Sequence, residues 1–258
     1  MTTLIGDLAA LLAVAEGLAW AAVLVFLRVG AMVTLMPGFG DQAVPQRIKL
    51  ALVIAFTLVI APIVAENPAL PRPSLIALVG EAAAGLILGI GMRLFLLALQ
   101  TAAVIVAQST TLSQLFAGAT PDPQPAIGNL FVVAGIALAL VAGLHIHAVE
   151  LVLLSYRILP AGGYPDPAAA ADWNLALVSQ TFSLAFSLAA PFVIASMIYN
   201  LALGAINRAM PQLMVSMVGA PALTLGALAL LAVATPVLMA AWLHTFEAYL
   251  ANPFEPPP

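Results

Sequence analysis

Six long apolar segments limit what this chain can fold into more than any other feature of the sequence. They cover residues 11–35, 48–65, 74–110, 126–158, 174–209 and 212–246. A helix crosses a membrane with about 20 apolar residues, within a range of about 17 to 25, so each segment is long enough. We therefore predict an all-α, polytopic membrane protein built from about six long, kinked hydrophobic helices.

Charged side chains are too scarce for a soluble protein. Only 7% of the 258 residues are charged and 64% are hydrophobic, whereas a soluble domain carries about 25% charged residues. The net charge is -4, and the absence of clustered basic residues argues against nucleic acid as a partner. The chain is predicted to be embedded in membrane lipid.

The sequence carries no pattern of a catalytic, cofactor or metal site. It has no cysteine, no glycine-rich phosphate loop after a strand and no nucleophile elbow. His145 and His147 are two residues apart, so on a helix they point to opposite sides and make a poor metal pair. We expect neither an enzyme nor a bound cofactor or metal.

Several apolar segments are too long for a simple membrane crossing. Residues 74–110 would extend for about 55 Å as one helix, against a hydrocarbon core of about 30 Å. Pro191 is predicted to interrupt the fifth segment, Pro211 to end it, and Gly219 with Pro221 to split the sixth. Breaks free backbone groups that lipid cannot satisfy, so they indicate a protein-lined assembly.

One face of the third segment combines charge with close-packing residues. Glu81, Gly85, Gly89 and Arg93 recur every fourth residue, and the glycine pair allows another helix to approach closely. Glu81 and Arg93 are about 18 Å apart along the axis, too far to pair with each other. Each requires a partner on another helix or, alternatively, a position near a helix end that reaches water.

Two further helices carry polar groups within apolar surroundings. Arg28 lies in the first segment, nine residues before Pro37. Its side chain could make a polar contact with another helix or subunit, or extend toward the interface. In the fifth segment a polar face is predicted to join helices or subunits. It is formed by Asn200, Gly204, Asn207 and Arg208, and Gln212 is expected to make a contact of the same kind.

Two signatures in the sequence match a known family. The first, in residues 27–62, is an arginine, a proline–glycine turn and a V-P-x-R-I-K run, filled by Arg28, Pro37, Gly40, Val44, Pro45, Arg47, Ile48 and Lys49. The second, in residues 203–230, is an N-R-x-x-P-Q run before a glycine–proline break, filled by Asn207, Arg208, Pro211, Gln212, Gly219 and Pro221. With both in order, the chain resembles the FliR family of flagellar export gates and its injectisome counterparts.

The resemblance implies a place in a larger assembly. Members of the family join P and Q export-gate subunits in a closed helical cone in the bacterial inner membrane, within the flagellar basal body. The export-gate A and B membrane components are further implied partners, and unfolded flagellar proteins are the implied cargo. The chain is then a single domain over 1–258, with a P-like part over 1–205 and a Q-like hairpin over 206–258.

The resemblance also assigns a role to the unusual polar stretch 108–125, which matches a plug loop in the pore. The implied plug residues are Gln108, Ser109, Thr111, Leu112, Gln114, Leu115, Phe116, Pro121 and Asp122. Polar side chains tolerate a wet lumen, whereas an apolar constriction can exclude water and ions. An ordinary surface loop is the alternative.

Departures from the family pattern fall in two places. The run AGLHIH lacks an asparagine that the family often has before the end of its fourth helix. The run AGATPDP lacks an aromatic residue that often precedes the Asp-Pro pair. A secondary transporter of a small solute is the alternative function, since transporters also contain broken helices and buried charges.

Overall fold

The computed structural model describes residues 2–67, 70–110, 126–210 and 215–254, and all regular structure in these ranges is helical. The helices in the described ranges are α1 (Thr2–Leu35), α2 (Gln46–Ala65), α3 (Leu75–Thr110), α4 (Ala126–Val141), α5 (Leu144–Ile158), α6 (Pro167–Ala209) and α7 (Val215–Ala251). The predicted all-α fold is confirmed.

The length and apolar character of the helices agree with a polytopic membrane protein. Among the described helices, α1, α2, α3, α6 and α7 are each long and apolar enough to cross a membrane, and α4 with α5 can supply a sixth span. The segment 126–158 is divided at Gly143, whose φ of 86° lies in the left-handed region. Glycine adopts this conformation without steric penalty, so the helix can end there.

Two of the predicted helix breaks are wrong. Helix α6 continues through Pro191, and α7 continues through Gly219 and Pro221. A proline removes one backbone hydrogen bond, but ending a helix in an apolar environment leaves several backbone groups unsatisfied. Around Pro191 the helix is further held by Phe192, which is buried and lies edge-on to Phe131 with ring centroids 6.5 Å apart. Pro211 lies outside the described residues.

The chain divides into two compact units. The first comprises residues 1–94, 143–177 and 250–258, and the second comprises residues 95–142 and 178–249. Helix α1 supplies much of the core of the first unit through side chains spaced three and four residues apart. Those with no exposed surface are Ala21, Leu24, Val25, Arg28, Val29 and Met32. This spacing keeps one face of the helix in contact with its neighbours.

Within the first unit α1 packs between α2 and α3. The turn of residues 36–45 folds α2 back along α1, and the Cβ position of Gly30 lies 3.7 Å from Cγ1 of Val53. The turn contains Gly38 with a φ of 77°, and Pro45 precedes the first residue of α2. Pro37 is buried in this turn. The first family signature therefore forms a helical hairpin.

Aromatic side chains form the core of the second unit. The Phe246 ring is stacked on Trp242 with centroids 5.3 Å apart, and its centroid is also 5.3 Å from that of Phe95. The ring of Tyr249 lies 4.9 Å from Phe95. The indole N–H of Trp242 donates to the carbonyl oxygen of Phe95 at 2.9 Å, so the one polar group of this large side chain is satisfied.

We predict that Phe246→Ala destabilises the protein by about 3 to 5 kcal/mol, because it removes a buried ring and leaves a cavity among three aromatic side chains. Unfolding in detergent, followed by tryptophan fluorescence, measures the loss. Val237→Ala on the same helix is the matched control, since Val237 is 70% exposed. Equal stability of the two variants would contradict the assigned core.

Candidate functional site

A buried ion pair lies inside the first unit. Arg28 of α1 and Glu81 of α3 have side chains with no exposed surface, and Nε of Arg28 is 2.7 Å from Oε2 of Glu81. A second hydrogen bond of 3.2 Å joins Nη2 of Arg28 to Oε1 of Glu81. This two-point geometry neutralises both charges in a place where water cannot solvate them.

Helix α5 and the turn after it complete the coordination of the pair. Nη1 of Arg28 donates to Oγ of Ser155 at 3.0 Å, and both terminal nitrogens donate to the carbonyl oxygen of Leu159 at 3.2 Å. The Tyr156 hydroxyl donates to Oε2 of Glu81 at 2.9 Å, and the backbone N–H of Gly162 donates to Oε1 at 2.7 Å. Cζ of Arg28 also lies 3.7 Å from the centre of the Tyr156 ring, a cation–π contact.

The polar groups of this cluster are fully used. Arg28 has five N–H donors, and the hydrogen bonds described above occupy all of them. Each oxygen of Glu81 accepts two hydrogen bonds. Arg28 and Glu81 therefore use their donors and acceptors within the protein, and the cluster joins three helices and a turn.

Two glycines allow α3 to approach α1 closely. A Cβ added to Gly85 would collide with the carbonyl oxygen of Arg28. A Cβ added to Gly89 would lie 2.9 Å from Cβ of Leu35 and 2.9 Å from the carbonyl oxygen of Met32. The predicted close-packing pair therefore lies directly against α1, and the short separation brings Glu81 within reach of Arg28.

Arg93 lies at a second, more open charged contact. Its Nη1 is 3.1 Å from Oδ1 of Asp41, and each side chain is 32% exposed. Nearby, Nζ of Lys49 donates to the carbonyl oxygen of Gly40 at 2.9 Å. These two contacts tie the turn of the first signature to the beginning of α2 and to α3.

The structure corrects the expectations for the charged residues in part. The side chain of Arg28 does not extend to an interface, because Glu81 neutralises it within the core. Glu81 does not reach water either. Arg93 contacts Asp41 and remains partly exposed. Sequence reasoning missed Ser155, Tyr156 and the Gly162 N–H, which belong to α5 and the turn after it.

Two of the implied plug residues lie within a helix. Gln108 and Ser109 belong to the last turn of α3, where Oγ of Ser109 donates to the carbonyl oxygen of Val106 at 2.8 Å. Such a bond to the preceding turn is compatible with helical geometry. The other predicted plug residues, Thr111, Leu112, Gln114, Leu115, Phe116, Pro121 and Asp122, lie outside the described residues.

The polar face of α6 is exposed on this chain. Asn200, Asn207 and Arg208 all have exposed side chains, and a Cβ added to Gly204 would meet no atom within 4 Å. In the described part of the chain these residues do not join two helices. Gln212 lies outside the described residues, and Gly219 and Pro221 lie within the backbone of α7.

Among the described residues the acidic and histidine side chains do not gather into a group of three able to hold a metal ion. Nδ1 of His147 lies 2.9 Å from Oε2 of Glu150 on the exposed side of α5. The neighbouring His145 is exposed as well.

We predict that Arg28→Met destabilises the protein by about 3 to 5 kcal/mol, because Glu81 is left charged and unpaired in an apolar core. The double variant Arg28→Met with Glu81→Met should be more stable than the single variant, since no buried charge remains. The midpoint of thermal unfolding in detergent measures both effects.

Arg93→Met is the matched control for this experiment. Its contact with Asp41 is partly exposed, and such pairs contribute about 0 to 1 kcal/mol. A loss for Arg28→Met no larger than that for Arg93→Met would show that the buried pair does not hold the helices together.

Comparisons with known proteins agree over nearly the whole chain. The sequence profile of "Bacterial export proteins, family 1" matches residues 19–249. The flagellar biosynthetic protein FliR of Caulobacter vibrioides is 35% identical over 240 residues, covering 90% of this chain and 94% of that protein. FliR of Escherichia coli is 31% identical over 230 residues, covering 86% of each chain.

A third relative is similar over a somewhat shorter range. FliR of Pectobacterium carotovorum is 29% identical over 210 residues, covering 80% of each chain. The profile includes every helix that contributes to the buried cluster, together with both signatures. The chain therefore belongs to the FliR family of bacterial export proteins.

Proposed function

We propose that this chain is a subunit of the flagellar type III protein export gate in the bacterial inner membrane. With P- and Q-type subunits it encloses a closed channel at the flagellar basal body, through which unfolded flagellar proteins pass. Membership in the FliR family supports a role in flagellar export. The A and B export-gate components are further proposed partners.

The exposed polar face of α6 carries this proposal. Helix α6 is 43 residues long, or about 64 Å at about 1.5 Å per residue, which exceeds the hydrocarbon thickness of about 30 Å. Asn200 and Asn207 are exposed near its end, and amide groups are poorly accommodated by lipid tails. Gly204 between them leaves room for a second backbone. These features favour a neighbouring subunit over lipid.

A solute transporter fits the described residues less well. A transporter holds its substrate among its own helices with polar groups that face the site. In the first unit the buried charges Arg28 and Glu81 use all their hydrogen-bonding capacity on each other and on α5 and its following turn. In the described part of the chain the buried charges therefore serve packing, and the polar face of α6 is exposed.

We expect Gly204→Leu to lower the amount of P- and Q-type subunits that co-purify with the tagged chain by tenfold or more. The added side chain would fill the space that a neighbouring backbone needs, while the isolated chain should unfold at an unchanged temperature. Co-purification from the native membrane, quantified by mass spectrometry, makes the comparison.

Gly226→Leu is the matched control on α7, because Gly226 also has open space around it and its neighbours in sequence are apolar. If the chain purified alone, with no companion subunits in either variant or the parent, the export-gate proposal would fail.

The plug assignment is tested separately. Deleting residues 112–119 should make cells permeable to small ions through assembled gates, because the apolar constriction that excludes water would be lost. Membrane permeability is measured by ion-dependent growth arrest or dye uptake, in cells where recovery of the complex is unchanged. Normal permeability with normal assembly would contradict a plug in this segment.

A further inference from the structure

The apolar face of α1 changes its surroundings abruptly at Ala21. From Ala21 to Val33 the side chains on this face have no more than 1% exposed surface, and they pack against α2, α3 and α5. Their spacing of three and four residues can be continued toward the beginning of the helix. The next positions on the same face are Leu18, Val14 and Leu11.

The earlier part of this face is uncovered. Leu18 is 42% exposed, Val14 is 70% exposed and Leu11 is 68% exposed. A Cβ added to Gly17 would meet no atom within 4 Å. The face ends at Asp7, whose side chain is exposed one turn before Leu11. We call these five residues the open seam of α1.

The open seam begins level with the end of the neighbouring helix and extends beyond it. Val53 of α2 is level with Gly30 of α1, and α2 ends at Ala65, twelve residues later. The end of α2 is therefore level with Leu18, twelve residues before Gly30 on the antiparallel helix. The indole N–H of Trp20 donates to the carbonyl oxygen of Pro71 at 2.9 Å, which places the following loop at the same level.

Lipid is a poor covering for this part of the helix. Helix α2 has 20 residues, or about 30 Å, which already matches a hydrocarbon core. At its end the chain exposes Glu66, Asn67 and Arg72, which marks the level of the polar interface. Residues 2–17 of α1 extend about 24 Å beyond that level.

The charges of α1 also disfavour the membrane surface. Helices that lie on a bilayer are rich in lysine and arginine on their polar face. Residues 1–27 contain neither, and they carry the acidic side chains of Asp7 and Glu16. An acidic helix is repelled by anionic lipid headgroups.

We propose that the open seam binds an apolar helix of a partner subunit that places a basic side chain opposite Asp7. The seam continues an interface that is already formed by α1 within its own chain, so the same three-and-four spacing can receive a second helix. A second copy of this chain is a poorer fit, because the same segment would bring no basic residue to Asp7. The inference rests on the proposed function in one respect: the partner is a subunit of the export assembly.

A photo-crosslinking amino acid placed along α1 tests the contact in the assembled complex. Crosslinks to one partner protein are expected from Leu11, Val14 and Leu18. Leu12 and Glu16, two residues before and after Val14, point to the other side of the helix and should not crosslink to that helix. A product of two copies of this chain, or crosslinks to lipid alone, would overturn the proposal.

Val14→Asp should lower recovery of the crosslinked partner by at least tenfold, because it buries a carboxylate in the seam. Leu12→Asp is the matched control, since Leu12 is 63% exposed but lies on the opposite side. Equal losses from both variants would show that lipid or non-specific packing covers the helix. Asp7→Lys should weaken the same contact, and reversing the basic residue in the partner should restore it.

The outcomes separate this inference from the proposed function. If P- and Q-type subunits co-purify but the seam positions give no partner crosslink, the seam is not an interface and the export-gate proposal stands. If no subunit co-purifies, the export-gate proposal itself fails. Unfolding of the isolated Val14→Asp variant should match that of the parent, because the seam is exposed in the chain alone.

Discussion

Placing an arginine inside a bundle of apolar helices is the physical constraint on which the first unit depends. Removing an ion from water costs several kcal/mol even after the protein adapts, so the charge must be neutralised and each donor must be bonded. Arg28 meets both conditions through Glu81, Ser155 and Leu159. Because these partners belong to α3, α5 and the turn after α5, a single side chain fixes the position of all three against α1.

The same constraint explains features that appear unrelated in the sequence. Gly85 is needed because α3 must approach the backbone of α1 for Glu81 to reach the guanidinium. Gly162, with a φ of 73°, turns its N–H toward Glu81 in a conformation that other residues rarely adopt. The arginine of the first signature and the turn after α5 are therefore parts of one structure, although they lie more than a hundred residues apart.

The surfaces that the chain leaves uncovered have a different character. The cluster around Arg28 is complete within one chain, whereas the end of α6 presents polar groups that lipid does not suit and the beginning of α1 presents apolar groups that water does not suit. Asn200 and Asn207 are polar groups on an apolar helix, and Leu11 and Val14 are apolar groups beyond the end of α2. A protein that completes its buried charges internally and leaves such surfaces outside has the properties expected of a subunit.

Much of the helical architecture could be predicted from the sequence, because runs of apolar residues with few charges have few alternatives to membrane helices. The bounds of α2 and α3 and the close-packing role of Gly85 and Gly89 follow from local composition and spacing. The continuity of α6 through Pro191 could not be predicted, since the residues beside a proline do not show whether a helix ends or continues there. The pairing of Arg28 with Glu81 and Tyr156 was decided only by the tertiary structure. Glu81 follows Arg28 by 53 positions and Tyr156 follows it by 128 positions, so nothing local in the sequence relates them. Only the folded chain brings the three side chains to one point.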